Sequence, residues 1–101
     1  MSHINLWKKL SGTVPDSVWE QREAESLVLA GNGLSEVSPR IGQMQRLRML
    51  DLGHNLLSAV PDALGDLAAL TDFLYLHDNR LAHLPDSIAN LTRLRGASSA
   101  R

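Results

Sequence analysis

Apolar positions along this chain recur in a fixed frame. Between Leu47 and Leu57, leucines stand at spacings of three and two, an asparagine follows three residues later, and another leucine comes two residues beyond it. Residues 24–34 and 70–81 repeat this frame. An asparagine recurs at the same position of the frame, 23 or 24 residues apart, at Asn32, Asn55 and Asn79. A period of this length indicates stacked copies of one structural unit.

Each leucine-x-leucine triplet predicts a short β-strand. Side chains alternate across a strand, so Leu50 and Leu52 face one side while Asp51 faces the other. Stacking of the copies predicts a parallel sheet with an inner face of leucines. The outer face carries variable residues, and it is the part of the chain that is free to encode recognition.

The residues after each strand predict a turn and a return path. An asparagine amide can both donate to and accept from turn backbone groups, so we expect the three asparagines to form a buried ladder. Apolar residues then recur at every third position, which suits a 3₁₀ or short helical turn. They are Leu64, Leu67 and Leu70 in one copy and Ile88, Leu91 and Leu94 in the next. Prolines at the start of these turns need no amide donor, at Pro15, Pro61 and Pro85.

The frame L-x-x-L-x-L-x-x-N-x-L resembles the leucine-rich repeat family from residue 4 to residue 94. The segments VPDALGDLAAL, at residues 60–70, and LPDSIANLTRL, at residues 84–94, resemble its intracellular 23-residue class found in plants and bacteria. The resemblance implies an α/β solenoid, with a curved parallel sheet on the concave face and short helical or 3₁₀ turns on the convex face. It also implies a protein-binding module within a longer regulatory or scaffold protein.

The period divides the chain into a repeat domain, residues 1–95, and a tail, residues 96–101. Full repeats are expected at 24–46, 47–69 and 70–95. Residues 1–23 indicate a degenerate leading repeat, because Ile4 and Leu6 keep the strand spacing. The alternative there is a short amphipathic helix through Ile4, Trp7 and Leu10, ended by Gly12.

Two details depart from the regular frame. One extra residue occurs near Phe73, and we expect a bulge and a local kink there, with Phe73 either in the core or on the concave rim. The turn after Pro15 is more polar than its later equivalents, and we expect Trp19 to pack over it rather than to bind a ligand.

The leucine pattern stops after Leu94, where the chain continues with small and polar residues. The last repeat is therefore expected to leave an open sheet edge, which is a template for association. The residues expected to be bare there are Leu74, Leu76, Leu81, Ile88 and Leu91. This edge predicts a homodimer, and it gives an alternative function: a truncated fragment that mainly self-associates through its uncapped C-terminal repeat.

Composition narrows the function classes. The chain has 101 residues, a net charge of −1 and a pI near 6.4, which argue against nucleic-acid binding. It contains no cysteine, no apolar run long enough to cross a membrane, and no apolar leader at its start. We therefore expect no membrane association and a cytoplasmic location.

The candidate binding surface is the concave side of the later repeats. Its expected partner-binding residues are Met49, Asp51, His54, Asp72, Phe73, Tyr75, His77, Asp78 and Arg80. Tyrosine, arginine and methionine are enriched at protein interfaces. His54, His77, Asp51 and Asp78 could approach one another across adjacent strands, which raises the question of a metal site. Such acid and histidine pairs on an exposed sheet are usually solvated, and we expect no metal and no cofactor. No nucleophile motif or phosphate-binding loop is present, so we expect no enzyme activity.

Overall fold

The computed structural model describes residues 2–90 and 96–98. These residues form one parallel sheet in which each of the first four strands is followed by a loop and a short helix. The strands are β1 Ser2–Asn5, β2 Ala24–Val28, β3 Met49–Asp51, β4 Phe73–Tyr75 and β5 Gly96–Ser98. The first connection contains the α-helix α1, Asp16–Trp19, and the next three contain the 3₁₀ helices Pro39–Gln43, Asp62–Asp66 and Asp86–Asn90. The strand order follows the chain, which confirms the α/β solenoid.

Leucines at equivalent positions of successive strands form the core. Leu27, Leu50 and Leu74 are direct neighbours in the sheet, and none of the three is exposed. The alternating residues point to the opposite, concave side because side chains alternate along a strand. From the convex side, residues of the short helices close the core, including Trp19, which is 1% exposed. Burial of these aliphatic side chains is the main stabilising term of the fold.

The asparagines lie in a row beside the core and bond the backbone of neighbouring turns. Asn55 Oδ1 accepts from the N–H groups of Asn32 and Leu34, at 2.9 and 3.1 Å. The equivalent oxygen of Asn79 accepts from Leu57 N–H at 2.9 Å. Asn32 and Asn55 are buried, whereas Asn79 is only half-buried. The asparagine side chains therefore bond turn backbone groups that would otherwise be buried without a hydrogen-bond partner.

The first segment of the chain is a strand. Ile4 pairs with Leu27, and the N–H of Leu6 donates to Val28 O at 2.9 Å. The alternative of a helix through Ile4, Trp7 and Leu10 is therefore wrong. Pairing with β2 prevails because Ile4 reaches the same core as the leucines of the full repeats.

The extra residue near Phe73 is accommodated before the strand. Phe73 pairs with Met49 without a register shift, and the N–H of Asp72 donates to Arg48 O at 2.9 Å. The expectation of a bulge at this point is wrong; the irregularity among the described strand pairs lies between Ser2 and His3. The insertion is therefore taken up between Leu70, which follows the short helix, and Asp72, where pairing with the preceding repeat begins. Phe73 is 42% exposed and takes the concave position.

The sheet continues beyond β4. Strand β5 pairs with β4 in parallel, with Ala97 beside Leu74 in the register. The expectation that β4 is an uncovered edge is therefore wrong, because strand pairing needs backbone groups rather than leucines. Leu74 and Leu76 are buried, Leu81 and Ile88 are half-buried, and Leu91 lies outside the described residues.

Among the helices of the described ranges, none has the length and apolar character that a membrane span requires.

Candidate functional site

Strand pairing arranges the concave side chains in rows that run across the sheet. Met49 stands beside Phe73 in one row, and Asp51 stands beside Tyr75 in the next. The rows continue past the strand ends, because His54 N–H donates to His77 O at 3.0 Å. The predicted site residues of β3 and β4 therefore share one surface.

Aromatic rings follow one another along β4 and across to the end of β3. The rings of Phe73 and Tyr75 stack, with centroids 5.5 Å apart and planes 10° from parallel. Tyr75 meets His77 edge to face at 6.0 Å, and His77 meets His54 edge to face at 4.7 Å. Such geometries contribute about 0.5–1.5 kcal/mol per aromatic pair beyond area burial. We call these four residues the aromatic series.

A chain of polar contacts ends the aromatic series. His54 Nδ1 lies 2.7 Å from Asp78 Oδ2, and His54 Nε2 lies 3.3 Å from His77 Nε2. Both His54 and Asp78 have positive φ angles, near 54° and 55°. A residue in this left-handed conformation follows each of the strands β1 to β4. At the equivalent position of the first two repeats it is Lys8 and Gly31, which also have positive φ angles. The shared backbone turn places these side chains in one row.

Gly53 provides the space that His77 occupies. A Cβ atom on Gly53 would lie 2.7 Å from Cε1 and 2.9 Å from Nε2 of His77, and 3.2 Å from Asp51 Oδ1. Any larger residue would displace the imidazole. The Asp51 carboxylate accepts from the Gly53 N–H at 2.9 Å, which fixes its position at the edge of the aromatic series.

Two predicted site residues have other roles. Asp72 pairs with Arg48 at 3.6 Å, at the start of β4. Arg80 follows the asparagine row, and its N–H donates to Leu57 O at 2.8 Å. Within the part of the chain that the structure describes, the Arg80 side chain makes no ion pair or hydrogen bond with the aromatic series.

Sequence reasoning missed Trp7 and Lys8 as site residues. Trp7 is 51% exposed, and Lys8 Nζ lies 4.9 Å from the centroid of its ring. A groove of about 420 Å³ separates them from the aromatic series, lined by Trp7, Lys8, Gly31, Gly33 and His54. Counting the period back from His77, through Gly53 and Ala30, leads to Trp7 and would have found it.

The described residues contain no group of three or more histidines, cysteines, aspartates or glutamates arranged to hold a metal ion. The surface offers exposed aromatic area, a groove and hydrogen-bonding groups.

Comparisons with known proteins agree with the fold. The family model described as "Leucine rich repeat" matches residues 22–81, more than half of the chain. The receptor-like protein CLAVATA2 of Arabidopsis thaliana is 37% identical over 60 residues, which are 59% of this chain and 8% of that protein. The structure of a leucine-rich-repeat protein of Leptospira interrogans superimposes with a TM-score of 0.71 at 25% identity, covering 91% of this chain and 29% of that one. This chain belongs to the leucine-rich repeat family.

Proposed function

We propose that the chain binds a protein partner through the concave surface that contains the aromatic series. Proteins of this family are typically interaction modules rather than enzymes. The observation that carries the proposal is the stacked pair of Phe73 and Tyr75, of which Phe73 remains 42% exposed on the concave side. Phenylalanine and tyrosine are enriched at protein interfaces, and tyrosine is among the residues that most often contribute large binding energies. The same surface would serve within a longer regulatory or scaffold protein.

The groove beside the aromatic series suits an inserted partner side chain. Gly31 and Gly33 form part of its lining, between Trp7 on one side and His54 on the other. Its volume of about 420 Å³ accommodates a large side chain. Trp7 and Phe73 thus provide apolar contacts at two separate places, and the groove between Trp7 and His54 provides a pocket for an anchor residue.

The test compares two exposed apolar residues of nearly equal accessibility. Phe73 is 42% exposed on the concave surface, and Leu56 is 44% exposed in the loop after the asparagine row. Proteins captured by the immobilised chain are identified, and the affinity of each purified candidate is measured by titration calorimetry. We expect Phe73→Ala to lower the affinity for a true partner by about tenfold or more, because truncating a hot-spot side chain costs over about 1.4 kcal/mol of binding free energy. Leu56→Ala is expected to leave the affinity unchanged.

Equal affinities for wild type, Phe73→Ala, Tyr75→Ala and Trp7→Ala would contradict the proposal. Thermal melts of the variants establish that each remains folded. The alternative of self-association relied on an uncovered last repeat, of which Leu74 and Leu76 are buried and Leu81 and Ile88 are half-buried in the structure. Light scattering over a range of concentrations checks this point, and we expect a monomeric mass.

A further inference from the structure

We propose that His54 and His77 form a two-histidine binding site for a divalent transition-metal ion such as Zn²⁺, with Asp78 orienting His54. The site lies at the end of the aromatic series, on the same concave surface, and its test requires no protein partner. Its two ring nitrogens come from different repeats, 23 residues apart in sequence.

The separation of the two ring nitrogens fits a shared metal. Zn–N bonds of about 2.0–2.1 Å in tetrahedral geometry place two ligand nitrogens about 3.3–3.4 Å apart. The Nε2 atoms of His54 and His77 lie 3.3 Å apart. The two nitrogens are also within hydrogen-bond distance of each other, so a bound metal ion would replace that contact. The observed separation already matches the one that chelation requires.

Asp78 sets the ring of His54 in the form that a metal requires. The Asp78 carboxylate accepts from Nδ1 of His54 at 2.7 Å, so the proton of neutral His54 resides on Nδ1. The lone pair of Nε2 then faces His77. Carboxylate–histidine–metal arrangements of this kind raise ligand basicity and fix ring orientation. The positive φ angles of His54 and Asp78 hold both side chains on the same side of the sheet.

Gly53 keeps the second ligand in place. The ring of His77 lies over Gly53, where a Cβ atom would approach Nε2 to 2.9 Å. Asp51 Oδ1 flanks the same point, which adds negative charge near the two nitrogens. The described residues supply no third ligand in position, so water completes the coordination and the affinity is modest.

Imidazole nitrogens also set the selectivity of the site. They favour Zn²⁺, Cu²⁺ and Ni²⁺, whereas Mg²⁺ and Ca²⁺ require oxygen ligands. Zn²⁺ should therefore bind in the presence of a large excess of Mg²⁺. The sequence alone suggested solvated charges here, because the nitrogen separation depends on the backbone turn and the ring rotations.

The experiment is a titration of the tag-free chain with ZnCl₂ at constant pH in a non-coordinating buffer, followed by calorimetry and by imidazole ¹⁵N NMR. We expect one Zn²⁺ per chain, with shifts of the His54 and His77 ring nitrogens. His54→Gln and His77→Gln should each reduce the affinity by at least about tenfold, and Asp78→Asn by about tenfold. His83→Gln is the matched control, since His83 is exposed and lies outside the pair.

Gly53→Ala separates chelation from folding. Its φ is not in the left-handed region, and the three atoms nearest to the added methyl group belong to the side chains of His77 and Asp51. We therefore expect the fold to persist while zinc affinity falls. Three results would overturn the proposal: no binding at millimolar ZnCl₂, affinity unchanged by His54→Gln and His77→Gln, or equal loss with His83→Gln. Melts without zinc show that each variant is folded.

Discussion

Replacement of Asn55 by alanine should remove a large part of the stability of the domain. The Asn55 amide is 5% exposed and bonds two different turns. Its Oδ1 accepts from the N–H groups of Asn32 and Leu34, and its Nδ2 donates to Leu29 O, Leu52 O and Gly53 O at 3.0–3.2 Å. Alanine satisfies none of these groups.

The magnitude follows from the two buried N–H donors. Each buried donor left without a partner costs about 1–3 kcal/mol, so Asn55→Ala should lower the free energy of unfolding by about 2–6 kcal/mol. Domains of this size have a total stability of about 5–15 kcal/mol. One kcal/mol corresponds to about 4–8 °C in Tm, so we expect Tm to fall by about 8 °C or more.

The assay is urea unfolding followed by far-UV circular dichroism, with a matched deletion elsewhere. Asn5 is exposed, and its Oδ1 accepts only from Trp7 N–H at 3.1 Å, so Asn5→Ala should cost less than about 0.5 kcal/mol. Asp51→Ala removes one partly buried bond, from the Gly53 N–H, and should cost about 0.5–1.5 kcal/mol. If Asn55→Ala costs no more than these two variants, the asparagine row does not stabilise the stacked turns.

Two further stability predictions use matched pairs. Gly65→Ala should cost about 1–3 kcal/mol by overpacking, because its Cβ would lie 2.6 Å from Ser87 Cβ and would clash with the Ser87 backbone. In Gly42→Ala the new Cβ would lie 3.1 Å from Ala63 Cβ, so this variant should cost less. Equal urea midpoints for the two variants would contradict this prediction. Trp19→Ala should cost about 3–5 kcal/mol, and Trp7→Ala less than about 1 kcal/mol, because the two indoles are 1% and 51% exposed. The tryptophan fluorescence of Trp7→Ala, which comes from Trp19 alone, should be blue-shifted. A spectrum typical of a solvent-exposed tryptophan in that variant would refute the burial of Trp19.

Sequence reasoning predicted the elements that depend on repeated apolar spacing. The triplet around Leu50 predicts a strand because only a period of two places both leucines in the core. It did not predict β5, because pairing of Gly96–Ser98 with β4 uses backbone groups and carries no leucine signal. A pattern based on burial therefore does not predict short strands that lack large apolar residues.

The candidate site was predicted in outline but not in detail. Alternation along β3 and β4 correctly placed Asp51 and Tyr75 side by side. The close approach of His54 and His77 depends on a left-handed turn and on the absence of a side chain at Gly53, and neither is encoded by spacing. Trp7 was missed because the leading segment departs from the leucine frame after Leu6.

The register between β3 and β4 tests the concave surface most directly, because a slip of one residue moves every side chain to the other face. Cross-strand nuclear Overhauser effects between backbone protons measure it. We predict contacts that pair Met49 with Phe73 and Asp51 with Tyr75, which keep Phe73 and Tyr75 on the concave side. Contacts that instead pair Met49 with Asp72 and Asp51 with Leu74 would contradict the account, since they would turn both aromatic rings toward the core.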